Sequence, residues 1–297
     1  MDQGANLRQW FQSKYSSEKR KEAKAIAVVS GKGGVGKSNF SLNFSISLSQ
    51  KGHRVLLVDM DLGMGNIDIL IGDSPNITLY DYLSNQAELH ELIFKGPANI
   101  SYMAAGSAFQ SFKKLEGDKL GHFMRTMEQL SVYYDYFIFD MGAGATEESM
   151  AFLFSIEDCF VITTPEPTAM TDAYSMTKHL IVSKAPVSLY LICNRARNSE
   201  DGVSTLQKLQ RTIGKFLYKE VNLLGILPED ENVQKAVLFQ TPFILYRPRA
   251  KSSIAIGEIT NRYLNEQYSA ISAESFSKQQ GFIHKLRSYF SERKGLK

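Results

Sequence analysis

Short apolar runs alternate with longer amphipathic stretches along most of the chain. Each apolar run is five or six residues long and nearly continuous, which is typical of parallel strands covered on both faces. The predicted strands are residues 25–30, 55–59, 100–104, 136–140, 159–164, 189–193 and 223–227. Between them, a helical period of apolar residues predicts helices over residues 38–50, 118–132, 168–182 and 202–217. The alternation predicts an α/β fold with a doubly wound, mostly parallel sheet and helices on both faces.

The pattern divides the chain into a central domain and two flanks. Residues 25–268 form one predicted domain, because no linker or internal repeat interrupts the alternation. Residues 1–24 show no core pattern and become polar and basic toward their end, which predicts a tether. Residues 269–297 begin with a small, polar stretch up to Ser275, predicted to be a linker, and end in an amphipathic stretch.

Composition and cysteine usage exclude several classes of protein. The 297 residues are 43 % hydrophobic and 22 % charged, so disordered and collagen-like chains are excluded. The two cysteines, Cys159 and Cys193, lie in apolar runs, which indicates buried thiols in a reducing compartment rather than a zinc or redox pair. No apolar run approaches the roughly 18 residues of a membrane-spanning helix. The first ten residues lack the apolar stretch of a signal peptide.

Residues 31–38 match the G-x-x-x-x-G-K-[ST] phosphate-binding loop, and the loop stands between a predicted strand and a predicted helix. Its glycines allow backbone N–H groups to face phosphates, and the start of the helix adds a favourable dipole. Lys37 is predicted to reach the β- and γ-phosphates and the Ser38 hydroxyl to bind Mg²⁺. The predicted nucleotide-binding residues here are Gly31, Lys32, Gly33, Gly34, Val35, Gly36, Lys37, Ser38 and Asn39.

Three aspartates stand where predicted strands end. Asp59 and Asp61 lie two residues apart at the end of the second strand, and Asp140 ends the strand 136–140. Open α/β sheets bind their ligands at the carboxyl ends of strands, and an acid at such a position holds Mg²⁺ in Walker B motifs. We therefore assign Asp140 to the metal site. For Asp59 and Asp61, a structural role as caps of the following turn stays open at this point.

The loop resembles the deviant Walker A motif of the MinD/ParA family of ATPases, because it contains a second lysine, Lys32. The resemblance implies an ATP-dependent homodimer in which Lys32 contacts the phosphates bound to the partner subunit. It also implies that Asp61 orients the attacking water, that Asp59 supports the magnesium, and that Gly144 approaches the γ-phosphate. The implied activity is a slow, regulatory ATPase with Mg²⁺, whose catalytic residues are Asp61, Lys37 and Lys32 and whose metal-site residues are Ser38, Asp59 and Asp140.

Two strand ends resemble the base pocket of MinD-type ATPases. Residues 191–195 end in an amide and an arginine, and residues 227–230 read Leu-Pro-Glu-Asp. The resemblance implies that Asn194, Pro228 and Glu229 contact the adenine. The guanine-reading sequence N-K-x-D is absent, because Arg195 follows Asn194, so ATP and ADP are favoured.

The last stretch of the chain, residues 276–290, is basic and amphipathic. Ser275–Lys297 contains six Lys or Arg and one acid, so the formal net charge of +3 hides a slightly acidic body and a cationic tail. This pattern suits an anionic membrane surface, although a helix packed on the domain is an alternative. It resembles the membrane-targeting helix of MinD-like ATPases, which implies a cytoplasmic protein that associates reversibly with the cytoplasmic membrane. The predicted membrane contacts are Phe282, Ile283, Leu286, Tyr289 and Phe290.

The first ten residues resemble the activator element of the FlhG (YlxH/FleN) subfamily of MinD-like regulators of flagellar number. The resemblance implies stimulation of the GTPase FlhF, with flagellar basal-body components as further partners. The residues that carry it are Asp2, Gln3, Leu7 and Arg8. Two alternatives stay open: a MinD-type division-site ATPase, which lacks the long extension before the first strand, and a ParA-like DNA-partition ATPase. No concentrated Lys/Arg run in the core supports DNA binding, so no nucleic acid partner is expected.

Overall fold

The computed structural model describes residues 22–61, 66–73, 75–84, 87–105, 117–144 and 152–273, together with Phe282 and Lys285. The strands are β1 (Lys24–Val29), β2 (Val55–Met60), β3 (Phe94–Lys95), β4 (Ser101–Met103), β5 (Tyr136–Met141), β6 (Asp158–Thr163), β7 (Ser188–Ala196) and β8 (Asn222–Pro228). The α-helices are α1 (Lys37–Gln50), α2 (Ile67–Ile71), α3 (Leu79–Leu83), α4 (Leu89–Leu92), α5 (Gly117–Ser131), α6 (Pro167–Val182), α7 (Ser199–Leu217), α8 (Glu231–Leu238), α9 (Phe243–Tyr246) and α10 (Lys251–Ala273).

The described strands form one eight-stranded sheet in the order β3-β4-β2-β5-β1-β6-β7-β8. Every neighbouring pair is parallel except β3 and β4, which are antiparallel. This arrangement confirms the predicted doubly wound, mostly parallel fold. The sequence analysis did not identify β3, because a two-residue edge strand carries no periodic signal.

Each face of the sheet carries its own apolar core. Helices α5, α6 and α7 cover one face and bury residues such as Met127, Leu180 and Leu209 against it. Helices α1 and α10 cover the other face, where Phe44 and Tyr263 pack edge-on against Phe160, with ring centroids 5.3 and 5.2 Å away. Because both faces are covered, the central strands are buried along their whole length and appear in the sequence as continuous apolar runs.

Parallel strands give the sheet two chemically distinct edges. The carboxyl edge is where β1, β2, β5, β6, β7 and β8 end, and the phosphate-binding loop follows β1 at this edge. The amino edge is the opposite one, where the same strands begin. The phosphate-binding loop lies at the carboxyl edge, whereas Phe282 and Lys285 of the C-terminal segment contact residues at the amino edge.

The C-terminal region differs from the sequence-based expectation in two respects. Helix α10 continues to Ala273, so residues 269–273, which were predicted to belong to a linker, are helical. Phe282, predicted to contact a membrane, is 1 % exposed and packs among three phenylalanine rings. Its ring centroid lies 6.4, 5.6 and 5.9 Å from those of Phe137, Phe139 and Phe152. The structure therefore corrects the assignment of Phe282, which covers an apolar part of the sheet.

Polar contacts hold this segment at the amino edge. The Phe282 N–H donates to Glu157 Oε1 at 2.6 Å, and Lys285 Nζ donates to the Pro186 carbonyl at 3.2 Å. Glu157 also accepts from the Ala25 N–H at 3.0 Å, so one buried carboxylate joins the C-terminal segment to the start of the central strand. The other predicted membrane residues and the predicted activator residues lie outside the described part of the chain: Ile283, Leu286, Tyr289, Phe290, Asp2, Gln3, Leu7 and Arg8.

Candidate functional site

The phosphate-binding loop joins β1 to α1 at the carboxyl edge, and two close approaches explain its glycines. Gly36 adopts φ +91°, and a Cβ there would lie 2.3 Å from the Asn194 side-chain nitrogen. Gly31 lies against the backbone of Asp172 in α6, where a Cβ would come within 2.1 Å of the Asp172 carbonyl. The loop thus needs glycine at both ends, because side chains there would displace its neighbours.

Lys37, the first residue of α1, is held at the carboxyl edge by Asp140. Its ammonium nitrogen lies 3.9 Å from Asp140 Oδ1, and both side chains are buried. The same Oδ1 accepts from the Ser41 hydroxyl at 2.9 Å. The nearby Ser38 hydroxyl lowers the pKa of Asp140, although burial raises this pKa overall. The sequence analysis did not identify Ser41. Its position one helical turn after Lys37 would have indicated that the two side chains lie on the same face of α1.

Asp59 and Asp140 form a buried carboxylate pair at the ends of neighbouring strands. The β2–β5 register places the two residues directly opposite each other. Burial and the neighbouring Asp140 charge raise the pKa of Asp59 to about 7, and burial also raises the pKa of Asp140. Asp140 Oδ2 is buried and has no hydrogen-bond partner. Two close carboxylates without enough protein cations to neutralise them form a site that a divalent cation would stabilise.

This arrangement fits a magnesium–nucleotide complex. The Ser38 hydroxyl, Asp59 and Asp140 would supply the oxygen ligands that Mg²⁺ prefers, directly or through water, and Asp140 Oδ2, which has no other partner, would be available to the metal. The three predicted metal-site residues are therefore brought together by β2, β5 and α1.

Asp61 and Gly144 flank the carboxylate pair. The Asp61 N–H donates to Asp59 Oδ1 at 2.9 Å, which leaves the Asp61 carboxylate beside Gly142, close enough to raise the pKa of Asp140. The Gly144 N–H, predicted to approach the γ-phosphate, donates to the Ser30 carbonyl at 3.1 Å. Its phosphate contact stays a prediction and requires that bond to open.

Lys32 has a partner that the sequence analysis did not identify. Its ammonium nitrogen donates to Glu166 Oε2 at 2.7 Å and to the Thr168 hydroxyl at 3.1 Å, at the start of α6. The Lys32 and Glu166 side chains are 33 % and 62 % exposed, so the ion pair lies on the surface at the carboxyl edge. The residues are 134 positions apart, which no local pattern could connect.

The predicted base-contact residues lie at the ends of β7 and β8. The Ala196–Pro228 register and the bond from the Glu229 N–H to the Ala196 carbonyl bring the two strand ends together. The Asn194 amide nitrogen donates to the Val35 carbonyl at 2.7 Å, so in this structure Asn194 supports the phosphate loop. Contact of Asn194, Pro228 and Glu229 with a base stays a prediction.

The fold and this site define a P-loop nucleotide-binding protein of the deviant type with two lysines in the loop. Residues 26–243 match the family of CobQ/CobB/MinD/ParA nucleotide-binding domains. The match covers more than half of the chain, and the protein belongs to this family.

Two relatives are each more than 30 % identical to the chain. The chain is 32 % identical to the antiactivator FleN of Pseudomonas aeruginosa over 237 residues, which are 80 % of this chain and 85 % of FleN. It is 35 % identical to the flagellum site-determining protein YlxH of Helicobacter pylori over 217 residues, 72 % of each chain. These relatives agree with the predicted resemblance to the flagellar subfamily.

Two solved structures support the fold. The septum site-determining protein MinD of Pyrococcus horikoshii, complexed with Mg-ADP, superposes with a TM-score of 0.69 at 28 % identity, covering 85 % of this chain and 99 % of that one. The cell division ATPase MinD of Pyrococcus furiosus gives the same TM-score at 26 % identity, covering 82 % of this chain and 99 % of that one.

None of the described helices is long and apolar enough to cross a membrane.

Proposed function

We propose that the protein is a slow, Mg²⁺-dependent ATPase whose nucleotide state controls homodimer formation, and that it regulates the number or placement of flagella. The observation that carries the proposal is the second loop lysine, Lys32, exposed at the carboxyl edge beside the buried Lys37–Asp140 pair. Similarity to FleN and YlxH supports the flagellar role.

Different residues of the carboxyl edge have different roles in the proposed hydrolysis. Lys37 is positioned to neutralise charge on the β- and γ-phosphates, and Ser38, Asp59 and Asp140 would hold the metal. Bound Mg²⁺ supplies further charge neutralisation for the transferred phosphoryl group. Asp61, whose backbone is fixed by Asp59, accepts a hydrogen bond from the attacking water and orients it.

Dimer formation gives Lys32 a second partner. Within one subunit its charge is satisfied by Glu166 and Thr168. In the proposed dimer it exchanges these exposed contacts for the phosphates bound to the other subunit. A surface ion pair costs little to break, whereas phosphate is a stronger acceptor for a lysine. The exchange therefore favours the dimer most with ATP, whose γ-phosphate adds acceptor oxygens that ADP lacks.

The two flanking segments would connect the ATPase domain to its partners. We propose that residues 1–24, through Asp2, Gln3, Leu7 and Arg8, stimulate the GTPase FlhF, and that the cationic C-terminal helix binds the cytoplasmic membrane reversibly. Phe282 is left out of the membrane-contact set, because its side chain is buried in the core of the domain. The remaining contacts are Ile283, Leu286, Tyr289 and Phe290.

Two variants test the ATPase and the dimer separately. Asp61→Ala should bind ATP, lose hydrolysis and accumulate as a dimer in light scattering. Lys32→Ala should bind nucleotide but remain monomeric with ATP, while Lys51→Ala, which removes an exposed lysine at the end of α1, should dimerise normally. Normal hydrolysis by Asp61→Ala, or normal dimerisation of Lys32→Ala, would show that the assigned role is wrong.

The partner role has its own assay. Purified protein is mixed with FlhF, and GTP turnover is measured for the full chain and for a chain lacking residues 1–22. Equal turnover in both mixtures would exclude activation through the N-terminal segment and leave the ATPase proposal untouched.

A further inference from the structure

The amino edge carries exposed aromatic and basic side chains that the nucleotide site does not use. Helix α7 ends at this edge with Phe216, 61 % exposed, and Tyr218 just after it is 92 % exposed. Helix α6 packs against α7 and also ends here, with Val182 66 % exposed. Large apolar groups grouped on a protein surface mark an interaction site rather than a folding requirement.

Lysines surround these apolar groups. The two segments 178–184 and 215–220 contain four lysines and one glutamate. Lys215 lies over the Phe216 ring, with its nitrogen 5.3 Å from the ring centre, and Lys184 and Lys219 are exposed. We call the set Val182, Lys184, Lys215, Phe216, Tyr218 and Lys219 the amino-edge patch. Exposed aromatic side chains with lysines close to them in sequence match the interfacial layer of an anionic bilayer, where rings enter the headgroup region and lysines meet phosphates.

The position of the patch points to the same partner. Strands β7 and β8 are neighbours, so the loops that precede them, residues 183–187 and 218–221, lie side by side. Lys285 of the C-terminal segment bonds to Pro186 in the first of these loops. Lys285 of the cationic C-terminal segment therefore lies next to the patch, on the edge opposite to the nucleotide loop.

We propose that the amino-edge patch is a second membrane-contacting surface, which lies on an anionic bilayer together with the C-terminal helix. This inference rests on the proposed membrane role of that helix and adds a surface of the folded domain to it. A helix alone would tether the domain loosely, whereas a second contact on α6 and α7 fixes its orientation.

Vesicle binding of the full chain with ATP tests the patch. The vesicles contain phosphatidylglycerol and phosphatidylcholine in equal parts. Phe216→Ser combined with Tyr218→Ser should reduce the bound fraction several-fold. A matched control, Leu238→Ser with Phe239→Ser, removes an equally exposed pair (82 % and 67 %) at the end of α8 and should bind like the unmodified chain. Lys215→Gln with Lys219→Gln should weaken binding by about fivefold for each lysine at low ionic strength.

Depth quenching gives a direct readout. In a Trp10→Phe background, which removes the single native tryptophan, the Tyr218→Trp indole should be quenched by brominated lipid, and the Phe239→Trp indole should not. The patch proposal is wrong if the indole at position 218 is not quenched in vesicle-bound protein and the serine variants bind like the control. That result would not contradict membrane binding by the C-terminal helix. A chain lacking residues 286–297 that binds as well as the full chain would overturn the helix, and a full chain that does not bind would overturn both.

Discussion

Replacing Phe282 by alanine tests whether the C-terminal segment is part of the folded core. The ring is 1 % exposed and meets three aromatic rings, two of them on β5 and the third that of Phe152. Burial of a phenylalanine contributes about 2–3 kcal/mol, and aromatic contacts add about 0.5 kcal/mol or more each. The sum falls within the about 3–5 kcal/mol that Phe→Ala substitutions cost in protein cores. Phe282→Ala should therefore lower the free energy of unfolding by about 3–5 kcal/mol.

Urea denaturation followed by circular dichroism measures this change. Phe216→Ala is the matched control, because it removes the same side chain from a position that is 61 % exposed, where we expect a change within about 0.5 kcal/mol. The loss should appear as a lower midpoint with an unchanged slope, since the same surface unfolds in both proteins. If Phe282→Ala is no less stable than Phe216→Ala, the ring does not belong to the core and the membrane assignment of Phe282 must be restored.

Three further results are expected at the carboxyl edge. Glu166→Gln removes the carboxylate that holds Lys32, so the dimer should form at lower ATP concentration in light scattering; an unchanged threshold would contradict the exchange. Asn194→Ala removes the bond to the Val35 carbonyl, so affinity for ATP and GTP should fall together in equilibrium binding, whereas a selective loss of ATP would assign Asn194 to the base. The pKa of Asp59 is raised to about 7, so this carboxylate is mostly protonated at pH 6 and mostly ionised at pH 8 before the metal binds. Mg²⁺ binding to the ADP complex should therefore release protons at pH 6 and few protons at pH 8. Calorimetry in buffers of different ionisation enthalpy measures the release, and none at pH 6 would refute it.

The parts that could be predicted from sequence are those whose information is local. The phosphate loop is one contiguous motif between a strand and a helix, and the buried parallel strands appear as continuous apolar runs. That Asp59 and Asp140 end strands was predictable, but their pairing was not. It depends on β2 and β5 being neighbours, although helices and other strands separate them in the chain.

The parts that escaped prediction depend on distant contacts or on ambiguous patterns. Glu166 meets Lys32 across 134 residues. Helix α10 carried a usable signal, since Ile256, Ile259 and Tyr263 recur at helical spacing and are buried. The amphipathic pattern around Phe282 could not show whether this side chain is buried in the protein or in a membrane, because an apolar helix face is equally suited to a protein core and to a bilayer.

Helix α6 offers a physical connection between the two edges of the sheet. At its start, the Asp172 backbone packs against Gly31, and Glu166 and Thr168 bind Lys32. At its end, about 24 Å away for sixteen residues, it contributes Val182 to the amino-edge patch. When Lys32 leaves Glu166 for a phosphate, the start of α6 loses two of its contacts with the loop. A shift of α6 would therefore be felt at the patch, and Glu166→Gln should alter vesicle binding as well as dimerisation, even though residue 166 lies at the opposite edge.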